Sequence, residues 1–482
     1  MKRTKIVASV SDRRCEVDFL KELYAAGMNV VRMNTAHATP EGLCKIIENV
    51  RAVSSQIGIL IDTKGPEVRT TTCEGDLVYI TGERVKMIGN PDGITTHDLI
   101  CASYPLFVKD VPMSSHVLFD DGELDFEVIE KTDEYLLLEA KNDGKLGARK
   151  SVNVPGVRIN LPALTEKDKR NIVLACEQNI DFIAHSFVRN RRDVEAVQEI
   201  LDLHQSDIKI IAKIENQEGV DNIDEILEVA YGVMIARGDL GIEIPLERIP
   251  SIQKMLINKC IQAKRPVIVA TQMLHSMINN PRPTRAEVTD VANAIYYHTD
   301  AVMLSGETAY GKYPVEAVRT MAAVAADAEK NSSLGNEIRL PLSREEDITE
   351  FLAKQAVKAT QKMSIRAIVT DSYTGRTARF VAAFRAEIPV LAICYREKTM
   401  RMLSLSYGVK PIYLEEKGSA RAYFFAALYL LLHENMITET DRVAYLSGCF
   451  GEGGGTSFLE LNEVSNILSA AKDYMLPSFS AR

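Results

Sequence analysis

Two short runs, 208–215 (IKIIAKIE) and 232–239 (GVMIARGD), constrain this chain more than any other feature. Each is an apolar, β-branched stretch of the kind a strand buried on both faces requires. Each also closes on charged groups: Lys213 and Glu215 in the first, Arg237 and Asp239 in the second. A lysine and two carboxylates taken out of water cost several kcal/mol per ion unless they pair or hold a metal. At the ends of adjacent parallel strands these groups converge, which points to a centre built on a metal and a lysine.

The alternation around those runs sets the architecture. Strand-like segments at 5–10, 29–33 and 58–63 alternate with helical ones at 16–26 and near 40–54. After Arg69 the rhythm changes. Residues 72–155 carry short alternating segments at 77–80, 116–119, 125–129 and 135–139, separated by turn signals such as Asn90-Pro91-Asp92-Gly93 and Asn142-Asp143-Gly144. That predicts a small all-β module inserted into an α/β domain. The repeat resumes with strands at 182–187, 208–214, 233–236, 267–271 and 301–304. Three strands before the insertion and five after it make eight. The fold class predicted is α/β, a (β/α)8 TIM barrel with its active site at the C-terminal ends of the strands. A polar stretch through Ser332-Ser333-Leu334-Gly335 and 343–347 leads to a helix from about 348 and strands at 367–370, 390–394, 411–414 and 443–447, a smaller open α/β domain. The tail 459–482 reads as an extra helix. The expected division is a barrel from 1–70 and 157–340, an inserted β module at 71–156, and a C-terminal α/β domain at 345–482.

Composition narrows the class. A chain of 482 residues predicts roughly three domains. A formal charge of −9 argues against a nucleic-acid binder. No apolar run approaches the roughly 18 residues of a membrane span, and MKRTKIVASV reads as an opening strand rather than a signal peptide. The eight cysteines are scattered with no CxxC pair, which predicts reduced thiols in a cytoplasmic setting and no zinc site.

The expected strand ends deliver Arg32 and Asn34 with His37 beyond, then Asp62, Thr63 and Lys64 with Glu67 and Arg69 following, then Lys213, Glu215 and Asp239, then Thr271-Gln272, and finally Ser305-Gly306-Glu307-Thr308. Any one of these is as readily a structural ion pair; the set together is not explained that way, because functional groups gather on one barrel face. Paired carboxylates repel without a cation between them, and oxygen ligation suits Mg2+ or Mn2+. The neighbouring Lys and Arg suit phosphate and the charge that develops in phosphoryl transfer. No GxxxxGK[ST], protein-kinase catalytic loop or GxGxxG after the first strand is present. Gly451-Glu452-Gly453-Gly454-Gly455-Thr456 misses both glycine-rich spacings and is as readily a loop as a phosphate cradle. At the strand-to-helix turn Thr370-Asp371-Ser372-Tyr373-Thr374-Gly375-Arg376-Thr377, hydroxyls, backbone N–H groups and Arg376 suit an anion at a helix N-terminus. Simple capping by Thr374 explains the turn equally well.

Seven segments carry a resemblance over nearly the full length: TKIVASV, MNVVRMNTAH, DTKGPEVRT, KIENQEG, MIARGDLGIEIP, VIVATQMLHSMINNPRPTRAEVTDVANAI and AVMLSGETAYGKYPVEAV. The chain resembles the pyruvate kinase family. The resemblance implies transfer of the phosphoryl group of phosphoenolpyruvate to ADP, giving pyruvate and ATP. It implies Arg32 at the phosphate, Lys213 and Arg69 at the group in transit, Glu215 and Asp239 on Mg2+, Gly238 beside the substrate, and Thr271 assisting enolate protonation. Asn34, His37 and Arg69 become nucleotide contacts, with the β module a lid. K+ is implied by Glu67, with Asn34, Asp62 and Thr63 as its ligands and water or Thr35 filling in. A homotetramer is implied, as is a sugar-phosphate or nucleotide effector at Thr370, Ser372, Thr374, Gly375, Arg376 and Thr377. Three departures stand out. Ser11-Asp12-Arg13-Arg14 replaces the usual Gly-Pro-Ala-Ser. Ala36 replaces a serine whose hydroxyl helps bind K+. Asn190 replaces a lysine, with Arg191 and Arg192 adjacent.

Two other functions compete. A barrel lyase or mutase acting on phosphoenolpyruvate shares the metal carboxylates but needs neither the inserted module nor the Lys213–Arg69 pair. A non-catalytic sensor of phosphoenolpyruvate or a sugar phosphate does not need Lys213, Glu215 and Asp239, all of which are present.

Overall fold

The computed structural model describes residues 2–36, 38–331, 347–417, 419–448 and 455–472. His37, most of the glycine-rich loop at 451–454 and the linker at 332–346 lie outside the described residues.

Eight parallel strands close into a barrel: β1 (Lys5–Ser9), β2 (Val30–Asn34), β3 (Gly58–Asp62), β4 (Phe182–His185), β5 (Lys209–Ile214), β6 (Gly232–Ala236), β7 (Val267–Ala270) and β8 (Ala301–Leu304). The circle shuts where Lys5 pairs with Ala301. Nearly every strand residue is buried, which is why these segments read as continuous apolar runs rather than alternating ones. The inward-facing Val7, Val30, Leu60, Ile211, Met234 and Ile268 fill the centre, so the barrel is a packed core and not a pore.

Between β3 and β4 the chain leaves the barrel for a six-stranded sheet and a two-stranded one around a separate core that includes Phe107, Phe119, Phe126 and Tyr79. Strands at Arg84–Gly89, Leu99–Ala102, Gly144–Leu146 and Val152–Asn153 join the four anticipated from sequence. The last three are only four, three and two residues long, too short for alternation to register, and Arg84–Gly89 alternates over its first four residues alone.

The C-terminal sheet runs in the order Val409–Tyr413, Val390–Cys394, Ala367–Ser372, Arg442–Gly448, Thr456–Glu463. The last strand, antiparallel to its neighbour, corrects the expectation of an all-helical tail: residues 456–463 complete the sheet edge, and Val464–Lys472 is helical, the residues beyond it lying outside the described ones. Two buried aspartates join this sheet to the N-terminal face of the barrel. Asp181 accepts from Arg401 at 2.8 Å and Arg51 at 2.9 Å, and Asp300 takes both Arg385 nitrogens at 2.9 and 2.8 Å. Among the described residues no helix is long and apolar enough to cross a membrane.

Candidate active site

Strand β5 carries Lys213 to the C-terminal mouth of the barrel, and the buried charges there are organised around it. Its ammonium lies 2.9 Å from Glu215 Oε1 and 3.2 Å from Asp62 Oδ1, and donates to Ser186 Oγ at 2.7 Å. Burial opposes its charge, but Asp62, Glu215 and Asp239 outweigh that penalty and lift its pKa above the ordinary lysine value. Lys213 is a fixed cation. Asp62, at the end of β3, also takes Arg32 through Nε at 2.7 Å and Nη2 at 2.5 Å. Burial raises the Asp62 carboxyl, yet Arg32 and Lys213 together hold it below the usual carboxylate range. Arg32 in turn reaches Ser9 Oγ at 3.0 Å, leaving its guanidinium held at three points.

Glu215 is the opposite case. Burial, with Asp239 nearby, pushes its carboxyl up despite Lys213 and the Phe187 backbone N–H that donates to Oε2 at 2.7 Å. Its Oε1 is buried and, apart from the ion pair with Lys213, has no hydrogen bond of good geometry. Asp239, in the first turn of the helix Arg237–Glu243 after β6, makes no ion pair or side-chain hydrogen bond with another described residue. Two neighbouring carboxylates with free lone pairs fit one hard divalent cation, the remaining ligands being substrate and water oxygens. Among the described residues no group of three or more His, Cys, Asp or Glu side chains converges.

Thr271 stands past the end of β7 with φ +68°, and Gln272 follows at +53°. A β-branched residue in the left-handed region costs about 1–2 kcal/mol, strain of the kind that collects at functional sites. The Thr271 hydroxyl accepts from the Gly238 backbone N–H at 2.7 Å and donates to Ala270 O at 2.7 Å, tying the ends of β6 and β7 together. Arg237 turns away from the mouth: it binds Asp290 at 2.7 Å and the Thr271 carbonyl at 2.7 Å, so it braces the turn.

Arg69 does not meet Lys213. It is bound twice to Glu67 Oε2, at 2.9 and 2.7 Å, and donates to the Arg149 carbonyl of the inserted module at 2.8 Å. Lys64 shares the same Glu67 oxygen at 3.5 Å. Beside this cluster a cavity of about 440 Å3 opens between the module (Ser151–Ile159) and the barrel mouth, with Glu67, Phe187 and Asp239 on its wall. Asn34 Oδ1 accepts the Ala36 N–H at 3.0 Å, and Thr63 Oγ1 accepts from Ser186 N at 3.0 Å. Thr35 is spent on the Asp62 carbonyl, to which its hydroxyl donates at 2.8 Å. Glu307 is buried as a brace, accepting from Leu274 N and Ser305 N. Asn190 caps the helix Arg191–Leu203, and Arg191 pairs with Glu195 and Glu228 on that helix face and its neighbour.

In the C-terminal sheet the 370–377 turn follows the central strand, with parallel neighbours on either side, where chain connections diverge and ligands commonly bind. Gly375 has φ +79° and donates to Ser372 Oγ at 2.9 Å; Thr374 Oγ1 accepts from Arg376 N at 3.4 Å. Arg376 is exposed and pairs with Asp347 at 2.6 Å, and Thr377 bonds Thr456 at 2.7 Å. Thr370 is fully buried, its hydroxyl donating to the Asp371 carbonyl at 3.1 Å.

Two contributors escaped the sequence argument. Ser186 bridges Lys213 and Asp62, and Phe187, at φ +56°, aims its N–H at Glu215. Both follow β4, the strand whose end drew no functional candidate although it lies between two that did.

Comparison with known proteins bears on the fold and the family. The family model described as pyruvate kinase, barrel domain matches residues 1–318, and the pyruvate kinase alpha/beta domain model matches 350–461. A pyruvate kinase of Borreliella burgdorferi is 47% identical over 472 residues, covering 97% of this chain and 98% of that one. The Bacillus licheniformis enzyme is 42% identical over 479 residues, covering 97% of this chain and 82% of that one. Among solved structures, a pyruvate kinase from Cryptosporidium parvum superposes with a TM-score of 0.89 at 35% identity, covering 96% of each chain.

Proposed function

The chain belongs to the pyruvate kinase family, and we propose that the residues at its barrel mouth divide that family's reaction among them. The reaction is phosphoryl transfer from phosphoenolpyruvate to ADP: the enol-oxygen–phosphorus bond breaks, a β-phosphate oxygen of ADP takes the phosphoryl group, and the enolate left behind gains a proton at its methylene carbon. One observation carries the assignment of roles. Lys213 is a buried cation that burial fails to neutralise, held between Asp62, Glu215 and Ser186.

In this reading Lys213 faces the phosphoryl group in transit, where a charge already oriented costs nothing to reorganise. Arg32, clamped by Asp62 and Ser9, binds phosphate oxygens of the substrate, and the Gly238 backbone positions its carboxylate end. A divalent cation, Mg2+ or Mn2+, held by Glu215 and Asp239 supplies neutralisation of the substrate's oxygens when bound. Thr271 passes a proton to the enolate through a water. Arg69, Asn34 and His37 bind the nucleotide. Arg69 also reaches the inserted module, so closing 71–156 over the cleft excludes water at the moment of transfer. The barrel is taken as 1–70 with 157–340, and 345–482 carries the effector turn, where Ser372, Thr374, Gly375, Arg376 and Thr377 surround the phosphate of a sugar-phosphate or nucleotide effector; Thr370 supports them from inside the strand. K+ at Asn34, Asp62 and Thr63 rests on lone pairs left over from the bonds these oxygens already accept, without a hydroxyl at position 36. A homotetramer in the cytoplasm completes the proposal.

The test is pyruvate formation from phosphoenolpyruvate and ADP with Mg2+, in parallel KCl and NaCl buffers, with Lys213→Met as control. Turnover that the variant lacks supports these roles. Equal rates in both salts sink the K+ site, and a variant as active as the parent sinks the role of Lys213.

A further inference from the structure

A second large cavity, about 470 Å3, lies at the opposite end of the barrel, between the start of β1 and the N-terminal ends of the C-terminal strands. Lys2, Arg3 and Lys5 line it from the barrel side, and Arg366 and Lys410 from the sheet side. It shares no residue with the catalytic mouth or with the 370–377 turn. Its acids are Glu387 and Glu434, both exposed at the rim.

The bases are not spent on each other's neighbours. Arg3 is committed to Glu329 through its backbone N–H and guanidinium. Lys2, Lys5, Arg366 and Lys410 make no ion pair with another described residue. Lys5 is buried, 6% exposed, yet among the described residues its ammonium has one hydrogen-bond partner, the Val409 carbonyl at 2.5 Å. The half-buried Lys2 ammonium donates to Asn29 Oδ1 and to the Thr4 carbonyl. Two ammonium groups therefore sit close together with spare N–H donors, the carboxylates nearest them, Glu329 and Asp300, being paired with Arg3 and Arg385, an arrangement that is costly unless something anionic completes it. Pro389, Leu391 and Met436 give the same cavity an apolar wall.

We propose that this cavity binds a small phosphate ester, its dianionic head met by Lys2, Lys5 and Lys410 and its carbon body laid against Leu391 and Met436. Inorganic phosphate would leave the apolar wall uncovered, and a carboxylate would carry too little charge for three cations. The state of the lysines supports this. Burial, helped by Lys5 and opposed by Glu329, lowers Lys2 to about 7, and burial lowers Lys5 to about 8 against the pull of Glu329 and Asp300. An incoming dianion stabilises their charged forms, so binding takes up protons. The groups facing them are Arg3, Glu329 and Asp300 from the barrel, and Arg366, Lys410, Glu387 and Glu434 from the sheet.

The experiment is titration calorimetry on the full chain carrying Arg376→Ala, which removes the other phosphate contact outside the mouth. The probes are glycerol 3-phosphate and inorganic sulfate. Glycerol 3-phosphate is expected to bind more tightly than sulfate and to weaken at least tenfold when Arg366→Ala and Lys410→Ala are added, two positions exposed or half-buried enough to leave the fold intact. Sulfate, whose charge does not change between pH 6 and 9, is expected to bind more tightly as pH falls through 8 and 7. Absence of binding, undiminished binding in the triple variant, or equal affinity for the two probes overturns the proposal.

Discussion

Asp62→Asn tests whether the buried charges at the mouth form one network. The substitution keeps the side chain's shape but removes the counter-charge of two cations. In the structure the 1%-exposed carboxylate receives Arg32 at 2.7 and 2.5 Å, Lys213 at 3.2 Å and Ser186 at 3.3 Å. Breaking a buried pair from one side costs about 3–5 kcal/mol, because the partner stays behind uncompensated. Glu215 still faces Lys213, whereas Arg32 keeps only Ser9, so Arg32 bears most of the loss. The pH dependence has a definite sign. The folded-state pKa of Asp62 is depressed, so its contribution is fully present above the unfolded value of about 3.9 and is lost as pH falls through the folded one. Urea unfolding at pH 7 should show the variant about 3 kcal/mol or more less stable, and lowering the pH to 3 should narrow the gap by up to about 1.2 kcal/mol, the effect of roughly 0.9 pH unit below the unfolded value. A variant as stable as the parent at pH 7, or a gap of the same size at both pH values, would refute the network.

Three shorter predictions follow from the same geometry. Lys213→Met should lower kcat by about 10²–10³-fold, the scale of losing one preorganised charge at a transition state; kcat within tenfold of the parent argues against the role given to Lys213. Thr271→Val should slow solvent exchange of the pyruvate methyl protons at least tenfold, and NMR in D2O reads it directly; unchanged exchange removes Thr271 from the protonation step. Arg376→Ala should blunt activation by sugar phosphates; undiminished activation in a coupled assay would clear the 370–377 turn of an effector role.

The eight barrel strands were legible because strands buried on both faces write themselves as unbroken apolar runs, and their terminal charges stand out against that background. Lys213, Glu215 and Asp62 were found that way, and the structure draws them together. Ser186 was not, because a small polar residue after FIAH differs little from a turn residue, and its value appears only when β4 is seen between β3 and β5. The strand 456–463 was missed for a similar reason: it pairs antiparallel at an edge, half-exposed, and its alternation is broken by the neighbouring apolar pair Phe458-Leu459. Arg237, which drew no site role, shows that charge at a strand end does not tell which way a side chain turns: Asp290 and the Thr271 carbonyl claim it.

The position of the inserted module has a consequence for how the chain is made. β3 pairs with β4 across an excursion of more than a hundred residues, Leu60 meeting Phe182, and the barrel closes only when β8 reaches β1. At about 5–20 residues per second, β1 waits on the order of 15–60 s on the ribosome for its second neighbour. The module, whose strands mostly pair with near neighbours in sequence, can form its own core during that wait. The apolar half-barrel β1–β3 emerges with open edges and no partner, which makes it the segment of this chain most in need of a chaperone during synthesis.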